Sequence, residues 1–291
     1  MKKLLVTGAS GFLGWNLCRI AQQEWEVYGT YCSQALAIPG INLFKVDLRD
    51  FSSLKLLFSE IKPDGVIHTA AQSKPNYCQT HPEQSYSVNV TASWNLAGLC
   101  ADYGIPCVFT STDLVFDGLN SPYKESDPIS PICLYGEHKV LAENGMKERY
   151  PQTALCRMPL MFGSAPSTAA SFIQSFVKAL REGKESSLFV DEFRTPVSAT
   201  TASQGLLLAL DKVQGIIHLG GKERISRYDF GLMLSQIMGF SDAQITACRQ
   251  EDVTMPAPRS PDTSLDSSQA FALGYQPLSL REELELLRNC L

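Results

Sequence analysis

The sequence predicts an α/β fold, a doubly wound parallel sheet with a smaller, partly interleaved C-terminal lobe. Three observations carry that prediction. Short apolar runs alternate with helix-length segments through the first half, a glycine-spaced loop joins the first run to the first helix, and the alternation loosens near residue 160. Alternation of this kind marks βαβ units, and runs that are apolar throughout suit a sheet covered on both faces. The expected division is one unit over 1–160, whose core extends into later segments, and a second over 161–291.

Taken in order, Lys3–Thr7, Glu26–Tyr31, Asn42–Val46, Gly65–Ala70 and Cys107–Thr110 read as strands. Each is short, rich in Val, Ile, Leu or aromatic residues, and bounded by turn formers. Leu13–Glu24, Phe51–Ile61 and Pro82–Tyr103 read as the helices between them, and a further helical stretch runs from Tyr135 to about Arg149. Beyond it, helices are expected at Thr168–Arg181, Ala199–Leu210, Ser226–Met238 and Leu280–Leu287. The stretch between Ala247 and Asp266, rich in Pro, Ser and Thr, reads as extended loop, and no internal repeat is present.

Composition narrows the function classes. With 44% hydrophobic and 19% charged residues over 291 positions, the chain can bury a full core. Lys+Arg 25 against Asp+Glu 30 gives −5, which lacks the broad positive field of a nucleic-acid binder. No apolar run approaches the ~18–20 residues that span a bilayer, and the apolar start Leu4-Leu5-Val6 ends at once in Thr7-Gly8, too short for a signal core. Nine cysteines without a Cys-x-x-Cys read as reduced, buried thiols of a cytoplasmic protein. The histidines His68, His81, His138 and His218 show no metal-ligand spacing, and the proximity of Cys78 to His81 reads as incidental, so no metal is expected.

Thr7-Gly8-Ala9-Ser10-Gly11-Phe12-Leu13-Gly14 follows the first strand and opens the first helix. In this Gly-x-x-Gly-x-x-Gly spacing, Gly8 permits the tight turn, Gly11 lets the backbone approach a pyrophosphate, and Gly14 permits close helix–strand packing. The helix N-terminus adds free N–H groups and a positive dipole. The motif therefore predicts a Rossmann-type dinucleotide site. A carboxylate at the end of the second strand would bond the ribose 2′-hydroxyl of NAD. Thr30-Tyr31-Cys32-Ser33 offers none, and Ser33 could bond a 2′-phosphate, although no arginine stands there to clamp it. This leans towards NADP over NAD. Asp47-Leu48 could meet the adenine edge, with helix N-capping by Asp47 as the alternative.

Tyr135 and Lys139, four apart, share one helix face. An ammonium beside a phenol favours the phenolate and lowers the tyrosine pKa from about 10, which makes a better proton donor to a carbonyl. Cys107 through Asp113 runs a strand into a hydroxyl cluster at its carboxyl end, the edge where open α/β sheets bind ligands. Thr112 could bond a reacting carbonyl oxygen, or it could turn and cap the chain.

Together these residues resemble the extended short-chain dehydrogenase/reductase superfamily: the glycine loop, Ala70-Ala71 after the fourth strand, Asn89 in the long helix, and Tyr135/Lys139. Ser111-Thr112-Asp113-Leu114-Val115-Phe116-Asp117-Gly118 is similar to the Ser-Thr-Asp-Tyr-Val-Phe-Asp-Gly signature of dTDP-4-dehydrorhamnose reductases. Pro122-Tyr123-Lys124-Glu125 and Pro131 through Gly136 continue the match, and Arg259 through Asp266 resembles the family's C-terminal substrate loop. Val190 through Pro196 occupies the place of its Asp-Gln-x-Gly-x-Pro-Thr segment, with Glu192-Phe193-Arg194 replacing the Gln-x-Gly part. His138 replaces a usual Ser or Thr, and Gln72-Ser73-Lys74-Pro75 departs from the family after the alanine pair.

The resemblance implies that Tyr135 donates the proton, that Lys139 holds the nicotinamide ribose and tunes Tyr135, and that Thr112 positions the substrate carbonyl. It implies further that Gly8, Gly11, Phe12 and Leu13 surround the pyrophosphate and that Ala70 and Ala71 pack along the cofactor; Ser10, Gly14, Tyr31, Ser33, Asp47 and Leu48, read from the loop and the strand ends, complete the candidate cofactor-binding set. The implied activity is reduction of a nucleotide-linked 4-keto sugar by NADPH or NADH. Lys74, Asp113, Arg194 and Arg259 are the candidate substrate contacts, with an ordinary surface charge as the alternative for each cation. No nucleic-acid or membrane partner is expected, and the reading leaves room for a homodimer. Two other readings share the motifs: a nucleotide-sugar epimerase, and a non-catalytic regulatory subunit like that of methionine adenosyltransferase. A dehydratase would carry Glu after Asp113, where Leu114 stands.

Overall fold

The computed structural model describes residues 1–240 and 242–288. The chain runs β1 (Lys3–Thr7), α1 (Phe12–Ala21), β2 (Glu26–Tyr31), β3 (Asn42–Lys45), α2 (Phe51–Ile61) and β4 (Gly65–His68). Then follow α3 (Pro75–Thr80), α4 (Pro82–Tyr86), a π-helical segment (Ser87–Thr91), α5 (Ala92–Tyr103), β5 (Cys107–Thr112), α6 (Leu134–Arg149) and β6 (Ala154–Met158). The second half contributes β7 (Met161–Phe162), α7 (Phe172–Arg181), β8 (Ser186–Phe189), β9 (Phe193–Arg194), β10 (Val197–Ser198) and α8 (Ala199–Lys212). After these come β11 (Gly215–His218), β12 (Ile225–Ser226), α9 (Arg227–Met238), β13 (Ile245–Cys248), α10 (Ser268–Ala272) and α11 (Leu280–Leu287).

Seven strands form one parallel sheet in the order β11-β6-β5-β4-β1-β2-β3. The order reverses between β1 and β4, so the two chain segments leaving these strands diverge and open a crevice at the carboxyl edge. Leu4, Leu5 and Val6 are fully buried, as a central strand covered on both faces requires. One core packs α1 and α8 against the sheet through Leu13, Leu17, Leu206 and Ala209; the other packs α2, α5 and α6 through Leu54, Phe58, Leu96 and Met146. A third core lies in the lobe, where Phe162, Ile173, Phe176, Phe230 and Leu234 join α7 and α9.

Several expectations about the elements are corrected. The helix expected over Pro82–Tyr103 is α4, the π-helical segment and α5 in series, since one inserted residue per turn barely disturbs a long periodic pattern. β4 stops at His68 rather than Ala70, and β5 continues to Thr112. β6 and β11, both members of the main sheet, were not expected as strands, nor was α3. The cap of α2 is Asp50, whose carboxylate accepts from the Ser52 and Ser53 amides, so Asp47 does not cap it. The cysteines described are unpaired, but Cys32 is exposed and Cys248 half-buried, against the expectation that all are buried.

Candidate active site

At the β1/β4 crossover the glycine loop lies against the chain leaving β4. Gly8 has φ +72, and a Cβ there would stand 2.7 Å from the Cα of Ala70. A Cβ on Gly14 would stand 2.3 Å from the Gly8 carbonyl oxygen and 2.8 Å from Thr69 Oγ1. Gly11 begins α1 without any side-chain cap, which leaves the first amides of the helix for an anion. The loop is braced from the lobe: Thr168 donates its hydroxyl to the Ser10 carbonyl at 2.7 Å, and Asn16 Nδ2 donates to the Ser164 carbonyl at 2.9 Å.

A cleft of about 450 Å³ runs from this loop along the sheet edge. Every residue assigned to the cofactor lines it: Gly8, Ser10, Gly11, Phe12, Leu13, Gly14, Tyr31, Ser33, Asp47, Leu48, Ala70, Ala71, Tyr135 and Lys139. A cradle that side chains would fill, ending in uncapped helix amides, fits a dinucleotide pyrophosphate. At the adenosine end the structure adds Arg49, which sequence reasoning passed over because it sits beyond β3 rather than at the end of β2. Arg49 Nε lies 2.8 Å and Nη2 2.6 Å from the Asp47 carboxylate, and this pairing holds Asp47 below its usual carboxylate range. The Cys32 side chain lies close enough to Arg49 to interact with its charge.

At the other end Tyr135 and Lys139 stand one turn apart on α6, both buried and both facing the cleft. Tyr135 belongs to a buried apolar cluster with Cys78, Cys133 and Ala257, against which Leu114 packs. Burial, with Cys78 and Asp113 beside it, pushes the Tyr135 phenol well above its usual pKa, while the Thr112 hydroxyl pulls it back. This reverses the expectation of a lowered tyrosine: Lys139 is not among the groups that set the phenol, and desolvation dominates. Lys139 places its ammonium 4.1 Å from the Phe109 ring centre, and burial brings it down to about 7, opposed by Glu143 and Cys78.

Thr112 takes the capping role as well as its place beside Tyr135. Its Oγ1 accepts from the Leu114 amide at 3.2 Å and donates to Asp113 Oδ1 at 3.1 Å. Asp113 Oδ2 accepts from Thr263 at 2.8 Å and lies 3.4 Å from Arg194 Nε. Arg194 is buried on β9 rather than carried by a surface loop, and its Nη2 lies 3.5 Å from Glu192. Arg227, at the start of α9, joins this cluster with Nε 3.9 Å from Glu192 and its guanidinium 4.0 Å from the Phe172 ring. Burial brings Arg227 down to about 10, and the neighbouring charges of Arg194 and Arg259 act in the same direction. Arg227 Nη1 and Arg259 Nε are buried without a hydrogen-bond partner. Lys74 stands apart, exposed at the start of α3. Arg227 had no sequence signal, since it reads as one charge on a helix.

Two departures from the family pattern acquire a structural role. Asn89, on the π-helical segment, accepts from the Gln72 amide at 2.9 Å and donates Nδ2 to the Gln72 carbonyl at 3.0 Å. Ser85 bridges Asn89 to His138 Nδ1 at 2.8 Å, so His138 braces the loop after β4 from α6.

A doubly wound sheet with a glycine cradle at its crossover and a tyrosine–lysine pair across the same cleft defines the extended short-chain dehydrogenase/reductase type of NAD(P)-dependent reductase. The RmlD substrate binding domain family matches residues 1–289, and the chain belongs to that family. It is 31% identical over 288 residues to a probable low-salt glycan biosynthesis reductase, Agl14, of Haloferax volcanii, covering 97% of this chain and 96% of the relative. It is 28% identical over 295 residues to methionine adenosyltransferase 2 subunit beta of Xenopus laevis, covering 97% and 87%. The fold matches a dTDP-4-dehydrorhamnose reductase of Bacillus anthracis solved in complex with NADP, at TM-score 0.89 and 22% identity over 100% of both chains. No helix among the described residues is long and apolar enough to cross a membrane.

Proposed function

We propose that this protein reduces the C4 ketone of a nucleotide-linked sugar, with NADPH preferred as the reductant. The observation that carries this reading is the placement of Tyr135 and Lys139 in the cleft that the glycine loop opens. A bound reduced nicotinamide would supply the hydride. The chain's own residues orient the ketone and deliver a proton to its oxygen. Tyr135 remains a protonated phenol at neutral pH, so Oη–H is available to the developing alkoxide, and the Thr112 hydroxyl beside it would share that charge on turning its proton from Asp113 to the substrate oxygen. Lys139 would hold the nicotinamide ribose. Removal of water by the apolar wall of Cys78, Cys133 and Ala257 strengthens each of these interactions.

Beyond Thr112, Arg194 and Arg227 pair with Asp113 and Glu192, and Arg259 adds a third positive charge near Arg227, which leaves an excess of positive charge with unpartnered N–H donors on Arg227 and Arg259. That chemistry suits a nucleoside diphosphate. The name of the Haloferax relative supports glycan precursor chemistry. NADPH is favoured because no carboxylate follows β2 and because Arg49 neutralises Asp47 at the adenosine end; the NADP in the Bacillus structure supports the same choice. Eight described cysteines without disulfides suit a reducing, cytoplasmic setting.

The test is NADPH oxidation with a panel of nucleotide-linked 4-keto sugars. Tyr135→Phe should lower turnover by about a hundredfold or more while leaving NADPH binding in place. Near-normal turnover of that variant overturns the assignment. A second reading, a partner subunit of a methionine adenosyltransferase, is favoured by the Xenopus relative. It predicts no turnover with any keto sugar and co-elution with the synthetase.

A further inference from the structure

Resting on the reductase reading of Tyr135 and Lys139, we infer that Glu143 is a positioning residue for catalysis: a carboxylate clamped by Ser111 and Arg157 on the same face of α6, which acts on Lys139 through its charge rather than through a direct ion pair and keeps the ammonium charged. Tyr135, Lys139 and Glu143 follow one another at intervals of four, so a helix stacks all three along one stripe, and all three are buried. Tyr135 and Lys139 line the cleft, and Glu143, next along the stripe, meets Ser111 on β5 behind it.

The carboxylate of Glu143 has no freedom to turn away. Oε1 accepts from Ser111 Oγ at 2.5 Å and from Arg157 Nε at 3.1 Å, and Oε2 accepts from Arg157 Nη2 at 2.9 Å. Both side chains of the ion pair are 3% exposed. Arg157 is itself held over the Phe116 ring at 5.1 Å. Ser111 directly precedes Thr112, so one anchor fixes both the counter-charge of the lysine and the strand end that carries the carbonyl-positioning hydroxyl. A buried ion pair adds little to stability on its own, because desolvation offsets attraction. Its position behind a buried lysine gives it a different use.

The groups facing Lys139 come from every element around it. Glu143 and Tyr135 lie on α6, Cys78 on α3, His68 on β4, and Arg157 on β6 stands behind Glu143. His68 is fully buried and brought down to about 3, with Thr7 and Ser93 on its two ring nitrogens, so it is neutral. Burial raises the Cys78 thiol, which keeps it protonated, and the Tyr135 phenol is protonated too. Glu143 is therefore the one negative charge set against Lys139 among these groups. Burial brings the ammonium to about 7 and Glu143 acts upward, so loss of the carboxylate moves it below 7. At neutral pH the lysine then becomes a neutral amine, and its charged hold on the ribose is lost.

The direct readout is the titration of Lys139 in protein labelled with 13Cε-lysine, its resonance assigned by its disappearance in Lys139→Arg. This measurement needs no substrate, so it stands apart from the reductase reading, which fails alone if Tyr135→Phe still turns over. Glu143→Gln should move the Lys139 midpoint down by about one unit or more, and turnover at pH 8 should fall about tenfold further than at pH 6. The apparent KM for the sugar should change far less than kcat. Glu143→Gln leaves Arg157 unpaired and can destabilise the fold. The double variant Glu143→Gln/Arg157→Met removes both charges and should lower the midpoint by less than Glu143→Gln, because loss of the more distant Arg157 cation partly offsets loss of the carboxylate, with thermal stability close to that of the parent. Ser111→Ala retains the charge and should leave the midpoint in place. A Lys139 midpoint unmoved in the folded double variant overturns the proposal. A shift in Ser111→Ala as large as that in Glu143→Gln also overturns it, because the effect would then come from packing.

Discussion

At the glycine end of the cleft the wall is backbone. Gly8 lies against Ala70, Gly14 against the Gly8 carbonyl and Thr69, and Gly11 against the Gly8 carbonyl, while the first amides of α1 are left without a side-chain cap. Beyond the Tyr135 end, behind the lining of the cleft itself, lies a cluster of side chains drawn from distant segments: Asp113 after β5, Glu192 and Arg194 at β9, Arg227 on α9, and Arg259 in the loop that follows β13. The first end tolerates almost no substitution, because any added atom fills the space. The second can exchange groups while keeping its charge.

The largest expected effect tests the backbone end. In Gly14→Ala the new methyl would stand 2.3 Å from the Gly8 oxygen, so α1 or the loop must move. Overpacking of this kind costs about 1–3 kcal/mol, and cofactor affinity should fall with it by about tenfold or more. Gly98→Ala is the control: its Cβ meets nothing within 4 Å, and helix propensity should make it neutral or slightly stabilising. Calorimetric unfolding and NADPH titration of both variants would check this. Equal behaviour of the two would remove the distinction between a packed cradle and an ordinary helix glycine.

The next effect tests the side-chain end. Arg227→Met keeps the stacked length of the side chain over Phe172 but removes the unpartnered Nη1. Glu192 retains Arg194 at 3.5 Å, so the fold should survive. The KM for the nucleotide sugar should rise about tenfold to a hundredfold, the worth of one or two charge-assisted hydrogen bonds. The KM for NADPH should stay within about twofold. Steady-state kinetics that moved both constants together would place Arg227 outside the substrate end.

These two ends also differ in how far the sequence announces them. The glycine cradle and the Tyr135/Lys139 pair each lie within one short segment, so spacing alone exposes them. The arginine cluster assembles across more than sixty positions, from Arg194 to Arg259, and no local pattern joins its members. The same contrast holds in the sheet. β1 and β2 were readable to the residue, whereas β6 and β11 were not, because Arg157 and His218 interrupt their apolar runs. Both side chains are buried all the same: Arg157 by its pairing with Glu143, His218 as a neutral ring bonded to the Tyr123 carbonyl. A buried polar residue with a tertiary partner looks, in sequence, like a surface position. Glu143 was legible in principle, since it continues the four-residue spacing of Tyr135 and Lys139.

The smallest expected effect lies where the backbone end meets its one charged pair. Arg49 is 46% exposed and grips Asp47 from the loop after β3. If it also serves a 2′-phosphate, Arg49→Ala should act twice, by removing a cation and by freeing the Asp47 carboxylate to repel the phosphate. Solvent screening at so exposed a site limits the loss to about 1 kcal/mol, or about fivefold in affinity. NADPH should weaken by that factor and NADH should not, because NADH has no 2′-phosphate for either change to act upon. Adding salt should narrow the difference between variant and parent, since both contributions are Coulombic and solvent-exposed. Equal weakening of the two nucleotides would instead give Arg49 a purely structural task, that of holding Asp47 in place beside the adenine.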